Sequence, residues 1–289
     1  MPIAVTTRFV KATDAPSQII DLLSSWPLQG VVLQGQVAGD HFGPLTQELL
    51  LRRQTIPVVA LESPCAAPTR AELCGDRDES LEAQKAAEMT LERAAELSAP
   101  YVVLRLGEAR LCAPDWEIAR NRFLRDDLDE ELIERLIERR EKIVTPLFDN
   151  VRRALDRLLR SAESFGTKLL VRTRRRYTEL PTVVELRTLL QDYVGAPLSP
   201  LLDLPAAHLL DVMGFSRIEA MVKALGAEPV AYVGDAAGPV GALPPGRGVI
   251  DLAALAPQLK ATTRIFDPWP GLAHHEIAQA LDRMTTDVA

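Results

Sequence analysis

Residues 172–176 read Arg-Thr-Arg-Arg-Arg, directly behind the apolar run Leu169-Leu170-Val171. A guanidinium stays charged at neutral pH and presents its N–H groups as a planar fork that fits carboxylate or phosphate. An arginine placed immediately after apolar residues, as Arg172 is, has to meet a carboxylate partner or an anionic ligand. Three aspartates, Asp203, Asp235 and Asp267, are isolated polar residues closing other apolar runs, and Glu62 and Arg105 close two more. Gln34, Gln36, Asp40, His41, Glu108, Tyr232 and Trp269 lie at or just beyond such ends. Carboxylates of this kind can carry protons, and guanidiniums can fix an anion. The candidate catalytic groups are Asp203, Asp267 and Glu62. The candidate ligand-binding groups are Arg105, Arg172, Arg174, Tyr232, Asp235 and Trp269. The plainer alternative makes Arg174 and Arg175 a solvated strand end and each aspartate a helix cap or turn residue.

Other chemistries find little support. The four histidines are His41, His208, His274 and His275. None ends any of the last five apolar runs, so a histidine-rich zinc cluster is not expected. Cys65, Cys74 and Cys112 are odd in number, show no metal-type spacing and suit reduced thiols of a cytoplasm. No nucleophile elbow of the GxSxG type occurs. The net charge of -7 opposes nucleic-acid binding, which needs a basic face. No apolar run approaches the ~20 residues of a membrane span, and Met1–Val5 does not read as a signal peptide.

The elements that must position these residues alternate. Eight short apolar runs read as strands: Ile3–Val10, Gly30–Gln36, Pro57–Leu61, Tyr101–Leu106, Lys168–Thr173, Leu198–Asp203, Pro229–Gly234 and Thr263–Asp267. Unbroken apolar runs, as opposed to alternating ones, mark strands buried on both faces of a parallel sheet. Helical patterns fill the gaps. Ser80–Ser98 is rich in Ala, Leu and Glu, with Asp78 and Ser80 available as caps. Leu128–Ser164 has helical apolar spacing, which Pro146 is expected to break or kink. Thr182–Tyr193, Ser216–Leu225, Asp251–Leu259 and His274–Met284 are shorter, and Gly238–Gly248 reads as a loop. With 47% hydrophobic residues and no shift in composition along its 289 residues, the chain reads as one domain, residues 1–289. One eight-stranded α/β barrel uses about 250 residues. An open doubly wound sheet would also alternate, but no glycine-rich phosphate turn follows the first strand.

The order of several stretches resembles the sugar phosphate isomerase/epimerase family of xylose-isomerase-like barrels. They are SAPYVVLRLG at 98–107, LLVRTRRRYTELPT at 169–182, LLDLPAAH at 201–208, AYVGDAAG at 231–238, LPPGRGVIDLAAL at 243–255 and RIFDPWPG at 264–271. The resemblance covers about two-thirds of the chain and implies a single (β/α)8 TIM barrel. It also implies one divalent metal held by residues from strands five to eight. Carried over, those ligand positions are Arg172, Asp203, Tyr232 and Asp267. Arg172 is a cation where the family has Glu, Tyr232 stands for His, and Asp267 is a shorter Glu. Ala206 and Arg105 replace two further family histidines. No metal ligand set and no cofactor are therefore expected. The implied function is an isomerase-like protein with a degenerate metal site that binds a small anionic or polyhydroxy ligand at the carboxyl-terminal mouth. A non-catalytic ligand- or partner-binding module is the alternative. A phosphodiesterase like endonuclease IV would need a zinc cluster and a basic groove.

Overall fold

The computed structural model describes residues 2–11, 14–34, 42–65, 69–225, 230–238, 240–259 and 263–286. In chain order the first part runs β1 (Ile3–Thr6), α1 (Pro16–Ser25), β2 (Gly30–Gln34), α2 (Phe42–Leu51), β3 (Val58–Glu62), α3 (Arg77–Glu96) and β4 (Tyr101–Leu104). There follow β5 (Gly107–Glu108), α4 (Ala113–Phe123), α5 (Glu130–Phe165), β6 (Lys168–Arg172), β7 (Glu179–Leu180), α6 (Val183–Asp192), β8 (Leu198–Asp203), α7 (Leu204–Val212) and α8 (Ile218–Leu225). The last part is β9 (Val230–Tyr232), β10 (Asp235–Ala237), β11 (Val240–Leu243), α9 (Leu252–Leu259), β12 (Thr263–Phe266) and α10 (His274–Thr286). Eight parallel strands close into a barrel in the order β1-β12-β9-β8-β6-β4-β3-β2. Closure is by β1, which pairs Val5 with Phe266 on one side and Val31 on the other. All eight expected strands are present, several of them one or more residues shorter at the ends.

Alternation within each strand sorts the core into two layers. Ala4, Val32, Ala60, Val103, Leu170, Leu201, Val230 and Ile265 point inward and fill the barrel. Their neighbours, among them Val5, Leu33, Leu61, Leu169 and Phe266, point outward against the helices. Most inner residues are Ala, Val or Ile, with Leu170 and Leu201 beside them, and together they fill the axis, so the barrel is a packed core and not a pore.

The helices follow local signals, with two departures from expectation. α3 starts earlier than its alanine run suggests, because Asp76 caps it by accepting from the amides of Asp78 and Glu79 at 3.1 and 3.0 Å. α5 runs unbroken through Pro146 for 36 residues, about 54 Å at about 1.5 Å per residue. A proline inside a helix costs ~3 kcal/mol, but both halves are anchored. Leu132, Ile133 and Leu136 pack with Trp116 and Tyr177, whereas Val151, Leu155 and Leu158 pack on the barrel. α5 stops at Gly166, whose left-handed φ of 66° closes the helix. The chain then enters β6. Segments that the periodicity left unassigned are α1, α2, α4 and α7, the small antiparallel pair β5–β7 and the hairpin β10–β11. Gly238–Gly248 is therefore not a plain loop. Among the described residues no helix is long and apolar enough to cross a membrane.

Candidate functional site

In parallel strands the carboxyl ends share one rim. Glu62, Arg172, Asp203 and Tyr232 are the last residues of β3, β6, β8 and β9, and Asp267 follows β12. The structure brings these five together. Arg172 is 6% exposed and lies among the carboxylates. Its Nε and Nη2 donate to Asp203 Oδ2 at 2.9 and 2.6 Å, and its Nη1 donates to Glu62 Oε1 at 3.0 Å. Asp267 Oδ2 is 3.6 Å from Nη2. The guanidinium carbon lies 4.2 Å from the centroid of the Tyr232 ring, a cation–π placement. The Tyr232 hydroxyl donates to Glu62 Oε1. Burial pulls the Arg172 pKa down, but Asp203, then Glu62, Tyr232 and Asp267, more than offset it and hold the guanidinium well above its ordinary value.

The two aspartates have further donors. Asp203 Oδ1 accepts from the Ala206 amide at 3.1 Å and so caps α7. Asp267 accepts from Thr6 Oγ1 at 2.6 Å, Gln34 Nε2 at 3.0 Å and Arg8 Nη1 at 3.2 Å. A cavity of about 190 Å³ opens over this layer, lined in part by Arg8, Arg172, Arg175, Asp203, Tyr232 and Asp267.

Other sequence candidates have different places. Arg174 does not line the cavity. It is buried and donates to the carbonyls of Tyr177 and Phe215 at 3.0 Å each, which ties the strand-six loop to the end of α7. Burial first, then Arg140, brings its pKa down to about 10. Asp235 is 1% exposed and accepts from the amides of Ala236, Gly248 and Ile250 at 2.8 to 2.9 Å. It ties the β10–β11 hairpin to the 248–250 segment and is not part of the cavity lining. Trp269 packs on the outer core and is not part of the cavity lining. Arg105, one residue past β4, makes no ion pair with a described residue. Surrounding protein, then the like charge of Arg175, lower its pKa. Gln36, Asp40 and His41 lie outside the described residues.

The sequence reading missed Arg8 and Thr6. It ran the first strand to Val10, but a 3-10 turn at Thr7–Phe9 ends it early and turns Arg8 toward Asp267. The cavity wall from α7, Pro205, Ala206 and Leu209, was missed because α7 itself was.

These residues do not fit a divalent ion. Two of the four implied ligand positions hold a guanidinium, which cannot coordinate, and a phenol already bonded to Glu62. A dication would face the charge of Arg172 and compete with it for the same oxygens. Among the described residues no three His, Cys, Asp or Glu side chains form a group able to hold a metal.

Burial, then the Glu62 charge, pushes the Tyr232 phenol well above its ordinary pKa. An unfolded tyrosine ionises near pH ~10, so the protection is complete below that pH and is lost as pH rises above it. Tyr232→Phe is expected to flatten the fall in stability above pH ~10 and to cost about 1.5–3 kcal/mol at neutral pH, as for a hydrogen bond to a charged group. Urea unfolding of both proteins from neutral to alkaline pH checks this. Parallel curves would show that the phenol titrates normally.

The closed barrel of eight parallel strands with helices between them is a TIM barrel. No family model matches the chain, and no curated protein does. Solved structures match over the whole length. A D-psicose 3-epimerase from Clostridium cellulolyticum H10, solved with D-tagatose, has a TM-score of 0.71 at 11% identity, covering 100% of this chain and 99% of that one. The 3-keto-D-glucoside 4-epimerase of E. coli has a TM-score of 0.67 at 15% identity, with 99% of each chain covered. The IolI protein, solved with a bound zinc atom, has a TM-score of 0.64 at 17% identity, covering 100% and 98%. Identities this low establish a shared fold and carry no activity with them.

Proposed function

We propose that this protein is a metal-independent relative of the sugar epimerase barrels that binds a small anionic or polyhydroxy molecule at its carboxyl-terminal mouth. In this reading Arg172 occupies the place of the divalent ion and supplies its positive charge. The observation that carries it is the bonding of one buried guanidinium to Asp203 and Glu62, with Asp267 at 3.6 Å. Crowded carboxylates need a cation nearby, and here the chain provides it. Calorimetric titration of the protein with a panel of sugars, sugar phosphates and small carboxylates, before and after EDTA dialysis, tests the reading. Binding that survives chelation supports it; binding that vanishes and returns with zinc, manganese or magnesium contradicts it.

One observation keeps a catalytic form of this function in view. Glu62 Oε2 receives no hydrogen bond from a described residue, whereas its Oε1 accepts from Arg172 and Tyr232. Glu62 is not among the residues that line the cavity, so in this form it takes the proton from a ligand that reaches past Arg172, whose guanidinium polarises the carbonyl next to the carbon that loses it. Loss of turnover in Glu62→Gln with ligand affinity retained would separate this from binding alone.

A further inference from the structure

The cavity's chemistry favours one of the two ligand classes just named. We infer that it selects a short carboxylate with an apolar body and not a polyol, an inference that rests on the mouth being the ligand site. The wall is formed by Pro205, Leu209, Val233, Ala242 and Phe266. Among its described lining residues there is no Ser, Thr, Asn, Gln or His. The hydroxyl of Tyr232 is spent on Glu62, and both aspartates already accept from other groups. A sugar brings a donor and an acceptor at every carbon. Against this wall most would stay unpaired, and each unmade bond weakens binding on the order of tenfold.

The donors that remain are guanidinium groups. Arg8 commits Nη1 to Asp267 at 3.2 Å and leaves its other N–H groups without a described partner. Arg175 also lines the cavity, and its one side-chain ion pair with a described residue is a long one, 3.4 Å from Nη2 to Glu179. Both side chains are about a third exposed, so water meets these donors in the free protein and a carboxylate replaces it with two parallel charge-assisted bonds. Size agrees too. An apolar cavity of about 150 Å³ holds benzene, so 190 Å³ suits a branched or aromatic acid of few carbons.

The test is a chain-length series in the presence of EDTA: acetate, butanoate, 3-methylbutanoate and hexanoate, with D-fructose and D-tagatose as polyols. Affinity is expected to rise about three- to fourfold per added methylene, as for a buried CH₂, until the wall is covered. Leu209→Gln should flatten the series and leave acetate unchanged, because acetate needs the guanidiniums alone. Arg175→Gln should weaken every acid about tenfold, as losing a charge-assisted bond does. Polyols should give no heat. Binding of the polyols as tight as that of the acids, affinity independent of chain length, or no acid binding at all would overturn the inference. Polyol binding in EDTA would do so while leaving metal-independent binding intact, whereas a metal requirement would strike the proposed function itself.

Discussion

Replacing Arg172 by methionine is expected to cost about 3–5 kcal/mol of stability, the usual loss when one partner of a buried ion pair is removed. Methionine keeps much of the volume and removes the charge. Glu62, Asp203 and Asp267 then share one rim without the cation bonded to two of them and next to the third. The cost is not the value of the salt bridges, since replacing a whole buried ionic set by apolar residues can be neutral. It is the cost of carboxylates left uncompensated. Coupling makes this checkable: Arg172→Met combined with Asp203→Asn should be less destabilised than the sum of the two single changes. Urea unfolding at neutral pH gives all three values. A single-variant loss below ~1 kcal/mol, as for an exposed pair, would show that the guanidinium is dispensable.

Asp235→Ala is expected to cost about 3 kcal/mol or more, because a charged acceptor of three backbone amides disappears and each such bond is worth about 1.5–3 kcal/mol when made. The amides of Ala236, Gly248 and Ile250 would be left in a buried hairpin without an acceptor. The same cluster explains Gly248: a Cβ there would collide with the Ala236 carbonyl and with Asp235 Oδ1. Asp235→Asn keeps the shape and should lose less. Thermal unfolding of the two variants checks the order, and an alanine variant as stable as the parent would return Asp235 to the list of ligand residues.

These two residues mark what a sequence can disclose. Arg172 and Asp235 looked alike as polar residues at the ends of apolar strands, and the strand periodicity placed both at the right end of the barrel. Their roles diverge because of partners far away in the chain. Arg172 meets Glu62, 110 residues earlier, whereas Asp235 meets amides 13 and 15 residues later. Periodicity fixes which end of a strand a residue occupies, but not which loop folds back over it. Arg174 shows the same limit: two positions beyond Arg172, it is taken up by the carbonyls of Tyr177 and Phe215. The eight strands were legible because each is a short β-rich apolar run. α7 was not, because Leu204–Val212 is apolar on most sides and follows β8 with no connecting turn. A helix without a polar face gives no amphipathic signal, and with it went Pro205, Ala206 and Leu209 of the cavity wall.

Elemental analysis of the purified protein, after growth with zinc, manganese and magnesium supplied, decides whether Arg172 takes the place of a divalent ion. The account predicts far less than one equivalent of any divalent metal per chain, and an unfolding midpoint that EDTA does not move. About one metal per chain, lost on Asp203→Ala, would contradict it.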